Sequence, residues 1–85
     1  MTYRVTVSAC ATPDLAEGLP ESAAAAAVEF IYGPLADDPL RVGKPMRPPM
    51  DGKYTARRGE YRVVYMVVGD MVMVLRVAHR RDVYR

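Results

Sequence analysis

Tyr3, Val5, Val7 and Ala9 alternate with Arg4, Thr6, Ser8 and Cys10. A period of two marks a strand with one buried face. Thr12-Pro13-Asp14 then supplies a hydroxyl for an N-cap, a proline at the first helical position and an acid in the first turn, so a short helix is expected to start there and to end at Gly18. Pro20-Glu21 opens a second helix, in which five consecutive alanines (23–27) are strong helix formers. Ala23, Ala27, Phe30 and Ile31 fall at i, i+4, i+7 and i+8 and make one apolar stripe. Gly33-Pro34 is expected to stop it. Residues 33–52 hold five of the seven prolines and three of the six glycines. Nothing more regular than a turn is expected in them.

Three strands are expected over 53–58, 60–68 and 71–80, joined by turns at Arg58-Gly59 and Gly69-Asp70. The predicted fold class is α+β, a single domain over residues 1–85. Two N-terminal helices cover one face of a small antiparallel sheet, in the order β-α-α-β-β-β.

The charges change this picture. The net charge of the 85 residues is only +2, but it is unevenly spread. Residues 1–39 carry one base (Arg4) and six acids, a net of −5; residues 40–85 carry eleven bases and four acids, a net of +7. The second half suits an anionic partner. The single cysteine, Cys10, closes no internal disulfide, and it is expected to be a small buried residue in a reducing cytoplasm. One His and one Cys make a conventional zinc site a poor reading, and no metal or cofactor is expected. The N-terminal stretch shows no cationic leader followed by an apolar run, and no run approaches the roughly 20 residues of a membrane span, so neither export nor a membrane partner is expected. Gly43-Lys44-Pro45 lacks the preceding glycine and the following Ser/Thr of a phosphate loop and is rejected as one.

Strand alternation says where the bases point. A two-residue turn at Arg58-Gly59 sets 57 opposite 60, 55 opposite 62 and 53 opposite 64. Lys53, Thr55, Arg57 and Arg62 then share one face, and Tyr54, Ala56, Tyr61, Val63, Tyr65 and Val67 share the other, which meets the helices. At the second turn, two residues would place Val72, Val74, Arg76 and Arg80 against the helices. That would bury Arg76 without a visible partner, at a cost of several kcal/mol or so. A three-residue connection instead turns Met71, Met73, Leu75 and Val77 inward and is the expected register. The result is an open face carrying Lys53, Arg57, Arg62, Arg76 and Arg80, with Glu60 as its one acid. Arginine's planar fork suits phosphate, so the face reads as a phosphate or nucleic-acid surface. A solvated face or an acidic protein partner are the alternatives.

Tyr61-Arg62-Val63-Val64-Tyr65 after a basic strand, with His79-Arg80-Arg81-Asp82-Val83-Tyr84-Arg85 at the end, resembles the RelE family of the RelE/ParE toxin–antitoxin superfamily. Gly33-Pro34-Leu35, Arg41-Val42-Gly43-Lys44-Pro45-Met46-Arg47 and Ala56-Arg57-Arg58-Gly59 extend the resemblance over nearly the whole chain. It implies a metal-independent mRNA interferase that enters the ribosomal A site and cuts the codon there, the ribose 2′-OH attacking the adjacent phosphate. On this resemblance, Lys53 activates the 2′-OH or steadies charge, Arg57, Arg62 and Arg80 hold the scissile phosphate, and Tyr84 stacks on a base or orients the sugar. Lys44, Arg47, Arg58, Arg76 and Arg81 are implied contacts to RNA or rRNA. Thr55 stands where some members carry a second catalytic lysine, which leaves the general base open. His79 is either a catalytic acid or base or a structural residue, since alternation points it at the helices.

The resemblance further implies a RelB-like antitoxin partner, the ribosome and mRNA as targets, and contact with operator DNA only through the antitoxin complex. Two other readings stay open. One is a ParE-like, non-enzymatic inhibitor of DNA gyrase. The other is a catalytically inactive toxin-fold module acting in a repressor complex.

Overall fold

The first strand, β1 (Arg4–Val7), keeps the expected alternation, with Tyr3, Val5 and Val7 half-buried against the core. A computed structural model describes residues 3–46, 52–59 and 61–79. The helix that follows, α1 (Ala11–Pro13), runs into a wide π-helical turn over Asp14–Gly18. Its cap is not Thr12. The N–H groups of Ala11 and Thr12 both donate to the Ser8 carbonyl at 3.1 Å, and Ala11 N–H also reaches Ser8 Oγ at 3.2 Å. Ser8 holds this start while still tied to β5, its N–H donating to the Val74 carbonyl at 2.9 Å and its hydroxyl to the Leu75 carbonyl at 3.1 Å. Starting earlier buries Ala11 completely and leaves Cys10 exposed, so the expectation of a buried cysteine is corrected.

The second helix, α2 (Glu21–Phe30), buries the predicted stripe through Ala27, Phe30 and Ile31. Gly33-Pro34 does not stop it. The chain continues through a wide turn, Ile31–Leu35, with Pro34 inside it. A proline in a regular helix removes one hydrogen bond and collides with the carbonyl four residues back, and widening the turn relieves both. The gain is burial: Ile31, Leu35 and Ala36 are each at most 1% exposed. A short helix, α3 (Pro39–Val42), with proline in its first turn, and a two-residue strand, β2 (Lys44–Pro45), follow. Residues 33–46 are therefore more ordered than their composition suggests.

Tyr65 explains that order. It is completely buried, its hydroxyl donates to the Pro39 carbonyl at 2.5 Å, and its ring stacks on Tyr54 with centroids 5.7 Å apart. A Cβ on Gly43 would overlap the Tyr65 hydroxyl, so only glycine lets the chain cross there. The Pro39–Gly43 segment is clamped over the ring, and Lys44 is delivered to the edge of the sheet.

The five-stranded sheet has the order β1-β5-β4-β3-β2, with β3 (Lys53–Arg58), β4 (Tyr61–Val68) and β5 (Met71–His79) forming the meander. It is mixed rather than wholly antiparallel, because β1 lies parallel to β5, with Val5 beside Val72 and Val7 beside Val74. Together with α3 and β2, this extends the predicted order of elements.

Both turn registers differ from expectation. Arg58 pairs with Tyr61 and Arg57 with Arg62, so Arg58 belongs to the strand rather than to the first turn, and Gly59, at φ +57°, follows it. The register is displaced by two residues, which leaves every side chain on its predicted face. At the second turn Val68 pairs with Met71, so Gly69-Asp70 is a two-residue connection, and it is Val72 and Val74, not Met71 and Met73, that are completely buried. Arg76 is nevertheless not trapped inside. Tyr65 pairs with Val74 and Val64 with Arg76, which leaves Leu75 as an extra residue in a β-bulge. Beyond the bulge the faces exchange, so Val77 is buried and Arg76 exposed. The strand thus keeps its β-branched residues in the core and its arginine out.

The core lies on one face of the sheet, where Ala27, Phe30, Ile31 and Leu35 meet Ala56, Tyr61, Val63, Tyr65, Val72, Val74 and Val77. Tyr61 ties the layers together, its hydroxyl donating to the Ala26 carbonyl at 3.1 Å. Among the described residues no helix is long and apolar enough to cross a membrane.

Candidate nucleic-acid interface

Strand pairing places Lys44, Thr55, Val64 and Arg76 in one row across the sheet face opposite the helices. Arg57, Arg62 and Ala78 form the next row toward Gly59, and Lys53, Met66, Met73 and Thr6 the row on the other side. Opposed residues lie about 5 Å apart and successive same-face residues about 7 Å apart. Lys44, Lys53, Arg57 and Arg62 therefore surround Thr55 on β2, β3 and β4. Lys53, Thr55 and Arg62 are half-buried, whereas Lys44 and Arg57 are exposed. Thr55 Oγ1 is buried without a hydrogen-bond partner among the described residues, so a hydroxyl able to donate and accept sits unsatisfied amid four cations. Such a surface attracts phosphate oxygens and can stabilise charge that grows on them.

Arg76 has a different fate from the other bases of this face. Asp14, from the π-turn after α1, accepts from its Nε at 2.8 Å and from a second guanidinium nitrogen at 3.2 Å, and also accepts from Val77 N–H at 2.9 Å. The carboxylate thus caps the edge of β5 where β1 has ended. Burial works to raise the Asp14 pKa, but the hydrogen bonds from Arg76 and Val77 and the charge of Arg76 outweigh it and hold the carboxyl below its ordinary value. The expectation that Glu60 is the only acid near these bases is corrected by Asp14.

Arg58 also leaves the group. Its guanidinium lies 4.9 Å above the Phe30 ring on the helix side, beside an open cleft of about 380 Å³ lined by Ala26, Glu29, Phe30, Pro34, Gly59 and Tyr61. Strict alternation with Arg57 requires this. Arg58, an implied contact to RNA or rRNA, thus stands on the opposite side of the sheet from Lys53, Arg57 and Arg62. His79 pairs with Tyr61 and is half-buried on the helix side, as alternation indicated. Arg47, Glu60, Arg80, Arg81 and Tyr84 lie outside the described residues. Among the described residues no group of three or more His, Cys, Asp and Glu is placed to hold a metal ion.

Residues 15–84 match the family described as the ParE toxin of the type II toxin–antitoxin system parDE. The chain is 46% identical to toxin RelE of Mycobacterium tuberculosis over 98% of its length and 87% of that protein. It is likewise 46% identical to toxin RelG of the same organism, over the whole chain and 99% of that protein. The chain belongs to the RelE/ParE superfamily of type II toxins. The toxin's fold superposes on a chain of the crystal structure of the toxin–antitoxin complex RelBE2 from Mycobacterium tuberculosis with a TM-score of 0.90, at 44% identity, covering 94% of this chain and all of that one.

Two features of the toxin's site escaped sequence reasoning. Asp14 is 62 residues from Arg76, and nothing local marks it as a partner. The clamp of Pro39 and Gly43 on Tyr65 left a fainter trace: a tyrosine in an otherwise apolar buried strand needs an acceptor for its hydroxyl, and none lies nearby in sequence. Burial pushes the Tyr65 phenol up to about 12, with Tyr54 adding to the effect. Tyr65 therefore stays a neutral donor and is structural rather than catalytic.

Proposed function

We propose that this toxin is a ribosome-dependent endoribonuclease that cuts mRNA in the A site. The observation that carries the reading is the gathering of Lys44, Lys53, Arg57 and Arg62 around Thr55 on the sheet face away from the helices. A single RNA strand laid across this face brings a phosphate to Arg57 and Arg62, directly opposed on β3 and β4. The ribose 2′-oxygen loses its proton and attacks the adjacent phosphorus, and the bond to the 5′-oxygen breaks. The products are a 2′,3′-cyclic phosphate and a 5′-OH that takes up a proton. The arginines offset the charge gathering on the phosphate oxygens, and Lys53 steadies or accepts charge at the 2′-oxygen. The Thr55 hydroxyl finds its missing partner in the RNA. Arg80 and Tyr84 carry the phosphate-holding and stacking roles implied by resemblance, and no metal or cofactor takes part. A RelB-like antitoxin is the partner that silences the toxin in the cytoplasm, and operator DNA is met through that complex.

The match to the ParE family supports a second reading, a gyrase inhibitor. Expression in a bacterial host separates the two. Growth arrest with mRNA breaks inside translated codons, seen by primer extension and absent from ribosome-free RNA, is the expected result. Loss of supercoiling without mRNA breaks selects the gyrase reading. Arrest with neither lesion rejects both.

A further inference from the structure

The open cleft on the helix side of the sheet has no part in the proposed cleavage. It lies between the end of α2 and the adjoining ends of β3 and β4, and encloses about 380 Å³. That is near the lower end of the range, about 300–1,000 Å³, in which proteins hold small molecules. Phe30 lines it at 5% exposure, and the exposed Arg58 is held over the Phe30 ring at 4.9 Å. A ligand entering the cleft therefore meets a guanidinium already placed by an aromatic ring, rather than the ring itself. Glu29, next to Phe30 in sequence, stands exposed on the rim.

The polar groups of the cleft narrow what it fits. The Tyr61 hydroxyl is already given to the Ala26 carbonyl. Ala26, Phe30 and Pro34 bring no polar side-chain group. What is left is Glu29, whose carboxylate only accepts, and Arg58, whose guanidinium only donates. Both line the cleft, yet among the described residues they are not ion-paired to each other. Together they select against simple ions: Glu29 repels a phosphate and Arg58 repels an amine. A zwitterion such as a free amino acid answers both charges, but exposed ion pairs hold little in water. A neutral planar ring that stacks on the guanidinium and turns an N–H edge to the carboxylate uses both groups and carries no charge to be repelled.

We propose that this cleft binds a nucleobase, and guanine before the others. The base stacks on the outer side of Arg58, in a layer above Phe30, and Glu29 reads its edge. Guanine's ring N–H and exocyclic amine lie side by side and suit the two carboxylate oxygens. Adenine and cytosine each bring one amine beside an acceptor, and uracil one N–H between two acceptors, so none of them gives a carboxylate two adjacent donors. The base comes from a free nucleotide or from an RNA strand. On a strand it is a different nucleotide from the one at the cationic face, because the cleft opens on the opposite side of the sheet from Lys53, Arg57 and Arg62. The proposal goes beyond the cleavage reading and does not rest on it.

The test is an NMR titration of the isotope-labelled full chain with guanosine 5′-monophosphate, which should shift the amides of Phe30, Arg58 and Gly59. Guanosine should shift them in the same way, since the phosphate takes no part. The adenosine, cytidine and uridine monophosphates should bind about tenfold more weakly. Arg58→Lys keeps the charge and loses the plane; Glu29→Gln keeps the size and loses the charge and one acceptor. Each should weaken guanosine binding about tenfold, with circular dichroism confirming the fold, and Glu29→Gln should also erase most of the preference for guanine. A uridine twelve-mer with one central guanosine, set against an all-uridine twelve-mer, separates the sources. Cleft shifts from the first strand alone assign the site to a base on RNA, and cleft shifts from guanosine but from neither strand assign it to free nucleotides. No cleft shift with guanosine overturns the proposal. So do equal binding of uridine, unchanged binding in both folded variants, and shifts of the same size from inorganic phosphate or free lysine. Ribosomal cleavage reads the toxin assignment separately: guanosine binding without cleavage keeps the cleft and rejects the nuclease reading, and cleavage without guanosine binding does the reverse.

Discussion

Arg62 and Arg76 stand on the same sheet face, on neighbouring strands, in adjacent rows. Arg62 sits opposite Arg57, with Lys44 and Thr55 in the next row. Arg76 is drawn to the far edge, where Asp14 takes its guanidinium through two oxygens. Residue type and strand parity are the same for both, yet one belongs to a cationic field and the other to a structural latch. What separates them is a single carboxylate delivered from 62 residues away. A count of bases on a face measures binding capacity only after such long-range acids are subtracted.

The sharpest way to break this comparison is to remove each arginine in turn. Arg62→Ala should lower mRNA cleavage on ribosomes by about 10²–10³-fold, the usual loss when one charge-stabilising donor is taken from a transition state. Its thermal unfolding should hardly move. Arg76→Ala should leave cleavage within a few-fold. Equal losses of cleavage from the two variants would mean that Asp14 does not withdraw Arg76 from the working face.

The difference also marks how far sequence reading reaches. The faces of β3 and β4 were legible because alternation is local: the two-residue slip at Gly59 left Lys53, Arg57 and Arg62 together. The face of β5 was not, because the choice lay between two turns and the chain took neither consequence whole. It used the two-residue turn to bury Val72 and Val74, then the bulge at Leu75 to turn Arg76 out. Pattern rules treat each strand as unbroken, and a bulge is visible only where two strands meet. Likewise Gly33-Pro34 read as a stop because propensity is local, whereas burial of Leu35 and Ala36 is tertiary. The parallel pairing of β1 with β5 joins the two ends of the chain and leaves no local signal.

The clamp that brings Lys44 beside the cationic field offers a second test, of intermediate size. Tyr65→Phe removes the donor to Pro39 and should cost about 1–2 kcal/mol of unfolding free energy. Gly43→Ala forces a methyl group into the Tyr65 hydroxyl and should cost about 1–3 kcal/mol. The double variant should cost less than the two single costs together, because removing the hydroxyl makes room for the methyl group. Denaturant titration of the four proteins measures this coupling. Strict additivity would show that residues 39–43 are not held by Tyr65 and that Lys44 is placed by something else.

The smallest effect is a pH dependence that belongs to the Asp14 side alone. The Asp14 carboxyl is held below its ordinary value in the fold, so it favours the folded state once ionised in both states. That contribution is fully present above the unfolded carboxyl's pKa, near pH 4, and is lost as the pH falls through the lower folded value. Asp14→Asn keeps an acceptor for Val77 N–H but removes the charge. Its stability should therefore fall less steeply than that of the wild type below pH 4, while above pH 5 the two curves should run parallel, with the variant lower. Arg62→Ala should show the wild-type slope throughout, since no described carboxylate is hydrogen-bonded to it. A flattened slope in Arg62→Ala would place an acid in the cationic field after all, and the contrast between the two arginines would then be one of degree.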